Sequence, residues 1–195
     1  MQARRLPANE HRRERWRNGL GWTREILREP TGEAWLWRAS VAEIDADCTF
    51  SEYPGCDRAL VLLGGDGLRL IFADGSLQQL APPHGRADFP GELAPDAVVE
   101  SRTEVFNLIW RRDAVQAQVL HRPLVGPMVF FPEQDVRWLF FVLQGHAVFK
   151  DRPGEPPAEA GDACLLVPEP SAPTRCILDG GGEILLARIC RRETL

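Results

Sequence analysis

The sequence predicts an all-β chain: two antiparallel jelly-roll β-barrels packed together, with little helix. Three observations carry that prediction. Sixteen prolines and 17 glycines are scattered through the 195 residues rather than clustered, a spacing that favours many short strands over long helices. Trp35, Trp37, Ala39 and Val41 alternate with Leu36, Arg38, Ser40 and Ala42, the period-two pattern of a strand. Leu60–Leu68 lines up with Phe140–Val148 about half a chain later, the mark of two related units. Residues 1–115 are read as the first unit and 116–195 as the second.

Residues 2–7 are expected to form a first strand, followed by a polar connection with a helical turn through Asn9–Arg15. A glycine tract, Trp16-Arg17-Asn18-Gly19-Leu20-Gly21, then releases an extended strand over 22–29. The alternating segment Ala34–Ile44 is the next strand. Its polar face, Arg38 and Ser40, fits a cavity wall and a solvent-facing strand equally well. Phe50–Arg58 reads as irregular, held by Pro54 and Gly55. Ala59–Leu63 and Leu68–Phe72 flank Gly64-Gly65-Asp66-Gly67, a hairpin with suitable turn chemistry. Ala73-Asp74-Gly75 turns the chain into Leu77–Leu80. Residues 81–96 read as a surface loop with a short strand at Asp88-Phe89. Val98–Arg111 and Val115–Leu120 form a further hairpin. In the second half, Gly145-His146 is expected at a hairpin turn, and strands at Thr174–Leu178 and Glu183–Cys190 finish the chain.

The composition excludes several classes. Apolar residues make up 44% of the chain, enough for a sizeable core. No apolar run approaches the roughly 20 residues that cross a bilayer, and no signal-peptide core is evident, so the expected location is cytoplasmic, away from membrane. The net charge of −5 speaks against nucleic acid as a partner. The basic run His11–Arg17 reads as a solvated strand or loop in a chain whose only lysine is Lys150. Five cysteines without a C-x-x-C spacing read as reduced thiols. Cys56 is the one candidate nucleophile, and no histidine near it in sequence offers a base.

No Walker loop, G-x-G-x-x-G or G-x-S-x-G motif is present. The four histidines, His11, His84, His121 and His146, lack a metal-ligand spacing. No catalytic residue, metal site or cofactor is assigned. Glu25 beside Arg24 is a poor base near neutrality, because a neighbouring guanidinium favours the carboxylate. The tract from Trp16 to Ile26 is nevertheless rich in chemistry. Arg donors, a hydroxyl, an amide and a carboxylate gather where a glycine turn enters a strand, a way to hold a small anion. Polar groups that only satisfy one another are the structural alternative.

That tract carries a resemblance. Trp16-Arg17-Asn18-Gly19-Leu20-Gly21-Trp22-Thr23-Arg24-Glu25-Ile26 resembles the signature W-K-N-G-G-G-x-T-R-E-I of the HutD/Ves family. The likeness continues through Trp37–Ala42, Phe50-Ser51-Glu52-Tyr53-Pro54-Gly55, Asp57-Arg58 and Val105-Phe106-Asn107. Leu20 replaces the middle glycine of the signature, and Val105 replaces an expected Asp. Gly161–Pro168 further resembles the G-D-x-x-x-x-P element of cupins, which makes the expected architecture a bicupin.

The resemblance implies a site for a small anionic metabolite built from Asn18, Thr23, Arg24, Glu25, Arg38, Ser40, Ser51, Tyr53, Arg58 and Asn107. In that set Arg24, Arg38 and Arg58 supply cations, suited to carboxylates. Because strands reverse face at each residue, Thr23 and Arg24 share a face only if the backbone is irregular. The function it implies is regulation of histidine utilisation by binding an acidic intermediate such as formylglutamate, formiminoglutamate or urocanate. A metal-free cupin isomerase or hydrolase is one alternative. A protein-interaction module is another, with Trp138, Phe140, Phe141 and Phe149 as interface aromatics and a homodimer as one form of it.

Overall fold

A computed structural model of the chain describes residues 1–169 and 175–192. The strands, in order, begin with β1 (Gln2–Leu6), β2 (Arg12–Arg15), β3 (Gly21–Glu29), β4 (Trp37–Ile44), β5 (Cys48–Thr49) and β6 (Cys56–Gly64). Next come β7 (Leu68–Ile71), β8 (Leu77–Leu80), β9 (Arg86–Pro90), β10 (Asp96–Val99), β11 (Thr103–Arg111) and β12 (Val115–Leu124). The last are β13 (Met128–Phe130), β14 (Val136–Phe149), β15 (Ala158–Glu159), β16 (Ala163–Val167) and β17 (Cys176–Arg191). The only helical element among the described residues is a 3-10 turn at Ala8–Glu10. The chain is therefore all-β with antiparallel sheets, as the scattered glycines and prolines predict. No helix among the described residues is long and apolar enough to cross a membrane.

The chain divides into two compact units, His11–Val115 and Met1–Glu10 with Gln116–Leu195. The first ten residues, expected in the N-terminal unit, belong to the other one. The reason is main-chain pairing: β1 lies antiparallel to β16, with Gln2 opposite Val167 and Leu6 opposite Ala163. In the His11–Val115 unit, a six-stranded sheet runs β2-β3-β4-β11-β6-β9 and a four-stranded sheet runs β5-β10-β7-β8. Between them, Ile44, Leu60, Leu62, Ala87, Phe89 and Val105 meet Leu68, Leu70, Leu80 and Ala97. Each leucine buried there contributes roughly 1.5–3 kcal/mol.

The other unit is built on a seven-stranded sheet. Its core gathers Phe140, Val142, Phe149, Cys164, Leu166, Leu178, Ile184 and Leu186. Phe140 and Phe149 belong to that core and Trp138 packs against it, while Phe141 is buried outside that cluster. Strands β14 and β17 correct the expected hairpin turn at Gly145-His146 and the expected break between Leu178 and Glu183, because both run continuously. Gly145 lies opposite Gly182 and His146 opposite Gly181. A Cβ on Gly145 would sit 1.9 Å from the Gly181 carbonyl oxygen. The glycines are thus a place where two backbones press together, not a place where one reverses. The proposed start of a strand at Thr174 lies outside the described residues.

Smaller differences have local causes. The helical turn expected over Asn9–Arg15 ends at Glu10, and β2 follows it because Arg12–Arg15 pairs with Trp22–Glu25. The short strand expected at Asp88-Phe89 is present and longer, since β9 runs from Arg86 to Pro90 against β6. β6 itself begins at Cys56, inside the segment read as irregular.

Candidate functional site

The register of four strands builds one wall of a cavity. Facing residues in antiparallel strands share a side of the sheet. Glu25, Ser40 and Asn107 are opposite one another across β3, β4 and β11. The next row holds Arg28 and Arg38, continues through Ile109 and ends at Arg58 on β6. On the other side, Thr23, Ala42, Val105 and Leu62 form a third row that leads into the core. One sheet face therefore grades from apolar to cationic over three rows. The hairpin tip at Trp16–Asn18 and the segment Thr49–Tyr53 complete the enclosure of about 530 Å³.

A bulge shapes this wall. Glu25 pairs with Ser40 and Leu27 with Ala39, so Ile26 is an extra residue in β3. In a regular strand, residues three apart point to opposite faces. The inserted residue restores Arg28 to the face of Glu25, where Arg28 Nε donates to Glu25 Oε1 at 2.8 Å and its Nη2 to Oε2. Arg38 Nη2 lies 3.4 Å from the same carboxylate. Glu25 is thus already shared by two cations and is no free base. Its hydrogen bond, reinforced by its charge and opposed by partial burial, raises Arg28 above its ordinary value.

Arg58 differs from its neighbours. It is 5% exposed and lies over the rings of Phe50, Phe89 and Tyr53 at 4.6, 5.5 and 5.8 Å. Its Nε donates to Asn107 Oδ1 at 3.1 Å. Its Nη1 is buried with no hydrogen-bond partner among the described residues, and no carboxylate there pairs with it. Burial pushes the guanidinium down to about 10, helped by the nearby Arg38 and opposed by Tyr53 and Cys48. It stays cationic at neutral pH. A buried cation without a counter-ion is costly, and this one faces a cavity. Six arginines line that cavity, Arg12, Arg15, Arg17, Arg28, Arg38 and Arg58, against Glu14 and Glu25. Its field favours an anion.

Nine of the ten residues expected at the site line this one space: Asn18, Thr23, Glu25, Arg38, Ser40, Ser51, Tyr53, Arg58 and Asn107. Arg24 does not. It lies on the opposite face of β3, where its Nε is 2.8 Å from Glu43 and its Nη2 3.2 Å from Glu104. Strand alternation forces this once Thr23 and Glu25 face the cavity. Asn18 is partly occupied, since its Oδ1 accepts from the Leu20 N–H at 3.0 Å and shapes the turn. Thr23 Oγ1 accepts from Trp16 Nε1 at 2.8 Å, which ties the glycine tract to the wall.

The sequence reading missed Arg12, Glu14, Arg15, Trp16, Arg17, Arg28, Ala42, Thr49 and Phe50 in the lining. Trp16, Arg17 and Phe50 stand inside the motifs already singled out, and that signal was enough to find them. Arg28 was hidden by the bulge. No histidine or cysteine lines the cavity among the described residues. Cys56 is buried, and its thiol is raised by that burial despite Arg111 and Arg112 nearby, the opposite of an activated nucleophile.

Two of the departures from the family pattern have simple places. Leu20 packs against the apolar cluster, and Val105 is fully buried in it. The glycine that matters sterically is Gly21, where a Cβ would fall 2.3 Å from the Glu43 carbonyl oxygen and 2.8 Å from the Trp16 ring. Gly21→Ala is expected to cost about 1–3 kcal/mol. Urea unfolding checks this, and an unchanged midpoint would contradict the close approach.

Comparison with known proteins adds the following. A family model described as HutD matches residues 8–186. Protein Ves of Cronobacter sakazakii is 30% identical over 182 residues, covering 89% of this chain and 91% of that protein. HutD from Pseudomonas fluorescens SBW25, whose structure carries the description formate condition, has a TM-score of 0.82 at 21% identity, covering 98% of this chain and 100% of that one. A conserved Pseudomonas aeruginosa PAO1 protein of unknown function has a TM-score of 0.81 at 21% identity, with both chains fully covered. The shared fold is cupin-like.

Proposed function

The chain belongs to the HutD family, and from that premise we propose that it is a non-catalytic binding protein for a small carboxylate. In this reading it serves histidine utilisation, and its two units are the two jelly-roll barrels of a bicupin. The ligand is an acidic intermediate such as formylglutamate, formiminoglutamate or urocanate. The single observation that carries the reading is Arg58: a guanidinium buried among three aromatic rings, with an unpartnered Nη1 and no counter-ion among the described residues, on a residue that lines the cavity. A carboxylate in the cavity supplies the missing counter-charge, and guanidinium–carboxylate pairing is directional and strong. Asn107 fixes the orientation of the fork by holding Nε. Glu25, already occupied by Arg28 and Arg38, has no proton-transfer role in this reading.

Thermal unfolding tests it. A ligand that binds only the folded state raises stability by mass action, by about 2.7 kcal/mol at a hundredfold excess over Kd. The expected result is a saturable rise in Tm with formylglutamate, formiminoglutamate or urocanate, a weaker one with formate, and none with an uncharged amide analogue. Equal shifts with the amide, or none with any acid, would remove the support for a carboxylate site. Turnover of any of these compounds by the purified protein would favour the enzymatic alternative.

A further inference from the structure

We infer that the cavity takes a dicarboxylate, with one carboxylate at the buried Arg58 end and the second at Arg17 on the exposed tip of the β2–β3 hairpin. The inference rests on the carboxylate reading above and adds a second anchor to it. Four of the six lining arginines are already engaged. Arg28 and Arg38 share Glu25, and Arg12 lies 3.5 Å from Glu14. Arg15 donates to the Gly19 carbonyl at 2.6 Å and lies over the Trp22 ring at 4.8 Å. Arg58 has Asn107 but no carboxylate among the described residues. Arg17 has no hydrogen bond, ion pair or ring contact there at all. Two cations are thus left for a ligand, Arg58 and Arg17.

These two stand at opposite ends of the wall. Arg58 shares the row of Arg28 and Arg38. The hairpin tip lies at the other end, beside the Thr23 row, because Trp16 Nε1 donates to Thr23 Oγ1 at 2.8 Å. On β4 those rows are set by Arg38 and Ala42, about 13 Å apart along the strand. Between them runs the row of Glu25, Ser40 and Asn107. Its carboxylate is already matched, and its hydroxyl and amide suit a polar linker. The enclosure of about 530 Å³ has room for more than one carboxylate, since a water molecule takes up only about 30 Å³.

The tip that carries Arg17 is fixed without using its side chain. The Trp16 N–H donates to the Gly21 carbonyl at 3.0 Å, and the Gly19 N–H to the Trp16 carbonyl at 2.9 Å. Asn18 Oδ1 accepts from the Leu20 N–H at 3.0 Å. Neighbours on both sides hold the backbone, so Arg17 gives up only side-chain freedom on binding. An exposed arginine is ordinarily just solvated. This one lines a cavity whose far end holds a buried cation, and an anionic group at each end of one molecule satisfies both. Of the acids proposed above, those with two carboxylates gain the second contact, and urocanate, with one, does not.

Protein-observed NMR titration with glutarate, adipate and formylglutamate, each beside its half-amides, tests this on wild type, Arg17→Gln and Arg17→Lys. Arg17 is exposed, so both variants are expected to keep the wild-type Tm. An exposed ion pair is weak, so the wild type is expected to prefer the tightest diacid over its half-amides by about three- to fivefold at low salt. That preference should fall toward one at about 1 M salt, where charges are screened beyond about 3 Å. Arg17→Gln is expected to remove it, and Arg17→Lys to keep most of it, since a point charge suffices at the open end. Equal binding of diacid and half-amides by the wild type would overturn the second anchor while leaving Arg58 as the first. So would a preference that survives Arg17→Gln or high salt. No binding of any of these acids would remove the carboxylate reading and this inference with it.

Discussion

Arg58→Met is expected to abolish the carboxylate-induced rise in Tm while leaving the unliganded protein at least as stable as wild type. The two halves of that result have one cause. In the unliganded protein Arg58 is a buried cation whose only hydrogen bond among the described residues goes to Asn107. Removing it relieves the cost of burying the charge. Methionine is similarly long, and its thioether packs well against rings such as Phe50 and Phe89. In the liganded protein the same residue is the direct partner of the carboxylate. Truncating one member of a buried charged pair costs about 2–5 kcal/mol, a loss in affinity on the order of a hundredfold or more. Isothermal titration with the best ligand of the thermal screen, alongside urea unfolding without ligand, measures both. Binding near wild-type strength would place the carboxylate elsewhere in the cavity. Arg58→Lys is expected to retain part of the affinity, since it keeps a charge but loses the fork and the ring stacking.

The second large effect lies on the opposite face of β3. Glu43 is 3% exposed and receives Arg13 at 2.6 Å, Arg102 at 2.5 Å and Arg24 at 2.8 Å. Burial would raise this carboxyl, but the bond from Arg13 and the charges of Arg13 and Arg24, with the bond from Arg102, together hold it below its ordinary value. Glu43→Gln leaves three guanidiniums crowded around a neutral amide. The expected loss is about 2–3 kcal/mol, at the lower end for a broken buried pair because Arg13 and Arg102 remain half exposed. The pH dependence has a fixed sign. A carboxylate lowered in the folded state contributes stability above its unfolded value of about 4.3, and loses it as pH falls through the lowered folded value. The gap between wild type and Glu43→Gln, measured by urea unfolding from pH 7 to 3, should be full at neutrality and shrink below about pH 4. A gap that widens on acidification would contradict this account.

How much of this was legible depends on which physical rule was in control. Side-chain alternation was readable in Trp35–Ala42, and it placed Arg38 and Ser40 on one face correctly. The same rule already implied that Arg24 could not join Thr23 and Glu25, and Arg24 indeed pairs with Glu43 on the other side. The bulge at Ile26 leaves no trace in hydrophobic pattern, so Arg28 was invisible to a strict period of two. Glycines were ambiguous in a similar way. Gly64–Gly67 carries the chain from β6 in one sheet to β7 in the other instead of closing the expected hairpin, whereas Gly145 and Gly180–Gly182 let two continuous strands press together, and local composition does not separate the two uses. Arg58 had a motif to mark it but no local signal of burial, because its rings come from the irregular segment that holds Phe50 and Tyr53 and from Phe89 on β9.

The pairing of β1 with β16 has a consequence in time. Gln2 meets Val167, so β1 leaves the ribosome long before the strand it pairs with. At ordinary elongation rates it waits on the order of ten seconds for its partner. Meanwhile His11–Val115 emerges as an uninterrupted stretch and can complete its own sheets. The nascent chain therefore carries a finished unit tethered behind an idle basic strand. The unit that closes last draws on two segments that flank the other in sequence.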